Sequence, residues 1–385
     1  MIYLDNAATS WPKAPGVAAA MTDFIAHDAG NPGRGAHRLA LAAGRTVERT
    51  RAQLAAFFGI SDPSRVVFTA NATAALNLAI KGLLKPGDRV VTTSMEHNAV
   101  VRPLHALAVR HGVRVEKVMA GPDGRVSPGA LINRITPQTR LVIMTHASNV
   151  CGALQPVAEV GAACRRLGVP LLVDAAQTAG LFPISVRELG ISLLAFPGHK
   201  GLLGPTGTGG LYVAPELELE PAVEGGTGTQ SELPEQPRHC PERYEAGTVN
   251  TVGLAGLAAG LAYIAERGLQ TLRDHELYLA DRLRRGLVAL AGVRLVGADP
   301  DAAAADAPVV SVVVEGHDSG EVAALLDRDY GIAVRSGLHC APDAHRTLGT
   351  LESGTIRFSP GPFNTIEDID AAVVAMREIV SAANN

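Results

Sequence analysis

Cysteine is scarce in this chain of 385 residues. The four cysteines, Cys151, Cys164, Cys240 and Cys340, are scattered and never fall in CxxC spacing. That excludes a disulfide framework in a chain this long, and no metal centre is called for. Positive charge is not in excess either. Lys and Arg number 34 against 38 Asp and Glu, a net charge of −4, which offers no basic field for a nucleic-acid backbone. Long apolar runs are missing: the one ending near Ile80 is broken by polar residues well short of a bilayer span, so no membrane is expected as a partner. The opening MIYLDNAATSWP has neither the basic stretch nor the apolar stretch of a signal peptide, and a reducing cytoplasm is the expected location. What remains is an ordinary globular balance, 47% hydrophobic and 19% charged, in a chain long enough for two domains.

From about residue 45 to 215 the pattern repeats: apolar strand, polar loop, amphipathic helix. The strands read RVVFT (65–69), RVVTT (89–93), RLVIMTH (140–146), PLLVDAA (170–176) and SLLAF (192–196). Helices are expected at 72–84, 100–111, 156–167 and 186–189. Near-continuous apolar strands alternating with helices predict a mainly parallel sheet covered on both faces. Ligands of such sheets bind where loops leave the carboxyl ends of the strands. Residues 221–251 read as a long loop, followed by helices at 254–267 and 269–290. A smaller α+β unit then has strands near 309–314, 332–335 and 355–359, a loop at 336–354 and a closing helix at 366–382. The segment 299–308 is a surface connection. The expected division is a large domain over 15–257, with 1–14 and 258–385 forming the small one.

The strand-end loops carry the chemistry. A cofactor acting as an electron sink needs a covalent anchor, an acid partner for its ring nitrogen, a phosphate cup and a stacking group. Lys200, after an apolar strand and beside His199, suits the anchor, because a crowded and desolvated amine gives up its proton more readily. Asp174 ends an apolar strand, where a carboxylate needs a cationic partner such as a pyridinium. Gln177 lies three residues on. Ala72 and Thr73 open a helix directly after a strand, a natural anion site. His97 can stack on a flat ring. Arg357, on the strand TIRFS, suits two-pronged capture of a carboxylate. Cys340 lies in RSGLHCAPD (335–343), where Arg335 and His339 are expected to favour the nucleophilic thiolate.

In this order these residues resemble the group II (Suf-type) cysteine desulfurase and selenocysteine lyase family of the class V aminotransferase superfamily. The resemblance runs almost end to end. It includes YLDNAAT (3–9), NPGRGAHRLA (31–40), MEHNA (95–99), SNVCG (148–152), VDAAQ (173–177), GHK (198–200), GPTG (204–207), RYEAGTVNT (243–251) and RSGLHCAP (335–342). It implies a PLP-dependent transferase of fold type I, with a mainly parallel central sheet and a smaller α+β C-terminal domain. It also implies pyridoxal 5'-phosphate bound to Lys200 as a Schiff base. Asp174 then pairs with the ring nitrogen, His97 stacks, and Gln177 and Asn149 adjust cofactor and substrate. Thr73 and His199 hold the phosphate, while Thr248 reaches the partner subunit's phosphate in a homodimer. Arg357 binds the carboxylate of L-cysteine with Arg335, Asn149 and His339 around the substrate, and Cys340 takes the sulfur as a persulfide. A sulfur-accepting protein and a place in sulfur metabolism such as iron–sulfur cluster assembly follow by the same resemblance.

Two departures stand out. Pro197 occupies a position where the family often has a hydroxyl, and the segment between Gly226 and Tyr244 is shorter than in Suf-type enzymes. Selenocysteine or cysteine sulfinate would use the same apparatus with less need of Cys340. An aminotransferase or epimerase gives the RSGLHCAP loop no task, and a non-catalytic sulfur-relay scaffold would have no need to keep Lys200 and Asp174.

Overall fold

The computed structural model describes residues 1–33, 35–297 and 306–382. Arg34, and the connection expected at 299–308 apart from its last residues, lie outside the described residues. In chain order the strands are β1 (Ile2–Tyr3), β2 (Val66–Thr69), β3 (Arg89–Thr93), β4 (Arg114–Val118), β5 (Thr139–Thr145), β6 (Leu171–Asp174), β7 (Leu193–Pro197), β8 (Gly209–Val213), β9 (Val293–Leu295), β10 (Val310–Val314), β11 (Ile332–Ala333), β12 (Arg335–Gly337) and β13 (Thr355–Phe358).

The larger sheet has the order β2-β8-β7-β6-β5-β3-β4. Every neighbouring pair is parallel except those of β8, which runs against both β7 and β2. Alternate residues of one strand feed opposite cores. Val142, Met144, Leu171 and Val173 join the cluster on one face, while Leu141, Ile143 and Leu172 join the cluster on the other. A strand buried on both faces has no polar side, so its sequence is a continuous apolar run rather than an alternation.

Two strands differ from the sequence expectation. The sheet ends in β4, whose RVEKV, with Arg114 and Lys117 exposed, carries the charge of an edge strand rather than a continuous apolar run. β8 begins at the end of the glycine-rich stretch 201–210 and is a strand that the sequence pattern does not indicate. Gly210 is required there by close approach, since a Cβ would stand 2.5 Å from the Phe196 ring. The helix expected at 186–189 is a single hydrogen-bonded turn, Leu189 N donating to Ser185 O at 3.0 Å, that ends at Gly190 with φ 66°; one turn stopped by a glycine is too short to propagate as a helix.

The smaller sheet, β12-β13-β10-β9, is antiparallel. It packs on helices Leu269–Val288, Ser319–Tyr330 and Ile366–Ala382 through a core that includes Leu283, Val312, Leu326, Phe358 and Met376. β1 pairs in parallel with β11, so the N-terminal segment lies along this unit and then crosses to the larger sheet. The loop expected at 336–354 contains a short helix, Pro342–Thr347. Among the described residues no single helix is long and apolar enough to cross a membrane.

Candidate active site

A cavity of about 100 Å³ opens at the carboxyl ends of the parallel strands, and Ala72, Thr73, His97, Asn149, Asp174, Gln177, His199 and Lys200 all line it. Their convergence follows from the topology. Each ends or follows one of β2, β3, β5, β6 and β7, and parallel strands deliver their following loops to the same edge. Pro197, the last residue of β7, presents an apolar ring to the cavity where the resemblance implies a hydroxyl.

One wall is the start of helix Ala72–Leu83. Asn71 caps it, its Oδ1 accepting from Ala74 N at 2.9 Å. That leaves the first-turn N–H groups of Ala72 and Thr73 for an anion at the positive helix end. His97 caps helix Asn98–His111 in the same way, with Nδ1 accepting from Ala99 N at 3.0 Å. Its lone pair is therefore committed there, and the ring proton sits on Nε2. Burial and the nearby charge of Lys200 push His97 down to about 4, so it is a neutral, flat imidazole.

Asp174 is 3% exposed at the end of β6. Its Oδ1 accepts from Ala176 N at 2.9 Å. Burial raises its pKa, while that hydrogen bond and the Lys200 charge oppose the rise. Lys200 moves the other way. Burial first, then the positive field of Arg357, lowers it to about 8 against the pull of Asp174. An amine with that value is partly unprotonated at neutral pH, which an ordinary lysine is not. Gln177 donates Nε2 to Ala7 O at 3.2 Å and keeps its other amide hydrogen and its carbonyl for the cavity.

The residues expected around the substrate, Asn149 apart, come from the smaller unit. Arg357 on β13 is 1% exposed. Its Nη2 donates to Asp5 Oδ1 at 2.6 Å and its Nη1 to Asn149 O at 3.1 Å. Its Nε is buried with no protein acceptor. Two of five N–H groups are thus used, and the orphaned Nε leaves donor capacity for a carboxylate.

Cys340 is exposed, and Arg335 Nη2 lies 3.9 Å from its Sγ. The role expected of His339 is corrected here. Its ring is 3% exposed, with Nε2 at 2.8 Å from Thr355 Oγ1 and the His345 ring 5.5 Å away. Burial, with the Arg357 charge, holds it neutral. His339 therefore supplies no positive charge to the thiol, and its side chain is turned into the protein rather than to a substrate. Its backbone carbonyl, by contrast, accepts from Asn149 Nδ2 at 2.6 Å.

Thr248 is not in the Lys200 cavity of its own chain. It lies in a separate groove with Gly226 and Asn31, whose Nδ2 is 3.4 Å from Thr248 Oγ1. Cys240 is half-buried, with Arg65 Nη1 at 3.8 Å, and burial pushes its thiol up. Burial likewise raises Cys151 and Cys164. An unreactive protonated thiol is what each environment favours.

Three features were not anticipated as individual residues. Asp5 neutralises Arg357 from the N-terminal segment. Glu96, beside His97, is fully buried, its Oε1 accepting from Thr93 Oγ1 at 2.5 Å and Thr145 N at 3.1 Å. Burial raises it to about 8. Thr9, Ser10 and Lys13 cluster on the backbone of His199. The polar stretch YLDNAATSWPK was the available signal, but nothing local in it points to residues 199 or 357.

Residues 2–372 match the family described as aminotransferase class-V. A probable cysteine desulfurase of Methanothermobacter thermautotrophicus is 37% identical, over 98% of this chain and 94% of that protein. Among solved structures, the apo cysteine desulfurase of Thermococcus onnurineus superposes with a TM-score of 0.92 at 36% identity, covering 99% of this chain and 95% of that one. The cysteine desulfurase CsdA of Escherichia coli superposes with a TM-score of 0.88 at 30% identity, again over 99% and 95%.

Proposed function

The chain belongs to the class-V aminotransferase family with its pyridoxal-phosphate-dependent fold type I, and from that premise we propose that it is a cysteine desulfurase. It takes sulfur from L-cysteine, leaves L-alanine and holds the sulfur as a persulfide on Cys340. The observation that carries this reading is the meeting of two units. Lys200, Asp174 and His97 line one cavity of the larger sheet, and the exposed Cys340 is hydrogen-bonded through its own carbonyl to Asn98, next to His97.

The cavity fits the cofactor. A buried carboxylate at Asp174 calls for a cationic ring nitrogen, the open N–H groups of Ala72 and Thr73 suit a phosphate, and neutral His97 suits a flat ring. Lys200, lowered to about 8, suits a covalent amine anchor. Pyridoxal phosphate, when bound, supplies an electron sink for negative charge at the substrate's Cα. Arg357 holds the substrate carboxylate with its unused N–H groups, Nε among them. Lys200 Nζ takes and returns the proton at Cα. The Cys340 thiolate attacks the substrate sulfur: the Sγ–S bond forms, and the C–S bond breaks with its electron pair passing to carbon. Protonation of that carbon completes alanine. Arg335, with Nη2 3.9 Å from Sγ, is the cation beside the attacking sulfur.

The finer assignment to the group II (Suf-type) enzymes rests on the brevity of the cysteine loop, which spans only 338–341 between β12 and helix Pro342–Thr347. A homodimer is supported by Thr248, which lies in a groove apart from its own Lys200, near a surface that exposes Leu39 and Leu41. An exposed persulfide on Cys340 suits transfer to an acceptor protein.

The test is alanine production from L-cysteine by wild type and Cys340→Ser, with mass spectrometry of the protein. The variant is expected to bind cofactor yet lose alanine formation by several decades, and wild type to carry an added sulfur, roughly 32 Da, on Cys340. Turnover of selenocysteine, whose selenium departs more readily, should fall far less. Undiminished turnover of L-cysteine by the variant would sink the reading.

A further inference from the structure

Lys13 is a half-buried lysine with no carboxylate partner among the described ion pairs. Instead its Nζ donates to Ser10 Oγ at 3.0 Å, Thr9 Oγ1 at 3.3 Å and the carbonyl of His199 at 3.0 Å. Burial lowers it to about 8. These bonds join residues nearly two hundred apart in sequence, at the residue immediately before Lys200.

The direction of the hydrogen bonds can be worked out. Thr9 Oγ1 lies 3.1 Å from His199 O and 3.1 Å from His199 Nδ1, but its hydroxyl has one proton to give. The carbonyl of His199 already accepts from Ser10 N at 3.0 Å, Lys13 Nζ at 3.0 Å and Ser10 Oγ at 3.2 Å, more donors than its two lone pairs serve well. The Thr9 proton is better used on Nδ1. Lys13, an ammonium with donors only, enforces this by occupying a lone pair of Thr9 Oγ1 and polarising the hydroxyl. The chain then runs Lys13 Nζ–H to Thr9 Oγ1–H to His199 Nδ1. Burial and the charges of Lys200 and Lys13 keep His199 neutral, pushed down to about 4. A neutral imidazole accepting at Nδ1 carries its proton on Nε2.

We propose that Lys13 is a positioning residue which, through Thr9, fixes the tautomer of His199 so that Nε2–H donates to the phosphate of the cofactor. The opposite tautomer would aim a lone pair at an anion. With Pro197 in place of a hydroxyl donor, this contact carries more of the phosphate binding than it otherwise would. The inference rests on the reading of His199 as a phosphate ligand.

The test equilibrates holoenzyme with mixtures of pyridoxal phosphate and pyridoxal, which lacks the phosphate. Borohydride trapping and mass spectrometry then give the ratio of the two on Lys200. A loss of folding affects both ligands alike and cancels in the ratio. Lys13→Met and Thr9→Val should each lower the preference for the phosphorylated form about tenfold, the scale of one hydrogen bond to a charged group. The double variant should be no worse than either single, because both break one chain. Lys13→Arg and Thr9→Ser should restore the wild-type ratio. An unchanged ratio in Lys13→Met, or additive losses in the double variant, overturns the inference. An unchanged ratio in His199→Ala overturns instead the reading of His199 on which it rests.

Discussion

The backbone N–H of Asn98 donates to the carbonyl of Cys340 at 2.7 Å, tying the tip of the cysteine loop to the first residue of the helix that His97 caps. One residue earlier, Asn149 Nδ2 holds the carbonyl of His339 at 2.6 Å. Between these two clamps His339 and Cys340 both adopt left-handed backbone, with φ of 47° and 58°. Each such residue costs a non-glycine side chain on the order of 1 kcal/mol, and the surroundings must hold it there.

Asn149→Ala removes one clamp and leaves the cavity's other polar groups in place. The expected result is a fall of roughly 10²-fold in the rate of persulfide formation, the scale of a nucleophile displaced by about 1 Å, with cofactor binding retained. Single-turnover labelling of Cys340 measures it. A variant that forms persulfide at the wild-type rate shows that the clamp is dispensable.

The low value of Lys200 sets a pH dependence for cofactor attachment to apoprotein. The reactive form is the free amine, so the attachment rate should climb as pH rises toward about 8 and level off above it. A lysine at its ordinary value would still be climbing at about pH 9.5. Lys200→Ala should retain no borohydride-reducible link; a reducible link at another lysine would refute the anchor.

Glu96 makes folding stability depend on pH in a defined direction. Its folded value is raised to about 8 from an ordinary 4.5. Below the unfolded value both states are protonated and its contribution is complete. As pH rises from there to about 8, the unfolded chain ionises while the folded one does not, and stability is lost. Thr93 and Thr145 N bond the carboxyl, and Asp174 and Lys117 are the charges nearest it. Glu96→Gln keeps the shape without the titration, so relative to wild type it should gain on the order of 3 kcal/mol between pH 5 and pH 8. Urea midpoints at the two pH values measure the difference. A variant that tracks wild type across that window contradicts a protonated Glu96.

A shared active site predicts complementation between chains. Lys200→Ala and Thr248→Ala protomers, mixed and reassembled, should form heterodimers in which one of two sites has both residues intact. That site should recover activity in L-cysteine turnover, whereas each parent homodimer is impaired. Sedimentation showing a fully active monomer would rule the arrangement out.

The sequence by itself determined β2, β3, β5, β6 and β7 and the identity of the loops that carry Ala72, His97, Asp174 and Lys200. Those are local facts: a strand buried on both faces must be apolar throughout, and a polar residue directly after it sits at the strand's carboxyl end. Only the tertiary structure decided contacts between distant segments. Asp5 meets Arg357 across 352 positions, and Thr9 meets His199 across 190. β8 runs against β7 because only residues 198–208, with no crossover helix among them, connect the two strands. Adjacency in sequence also misled at His339, which lies next to Cys340 and yet turns inward to Thr355. On a tight left-handed turn successive side chains diverge, and which one faces solvent is fixed by the layer packed beneath it rather than by the order of residues.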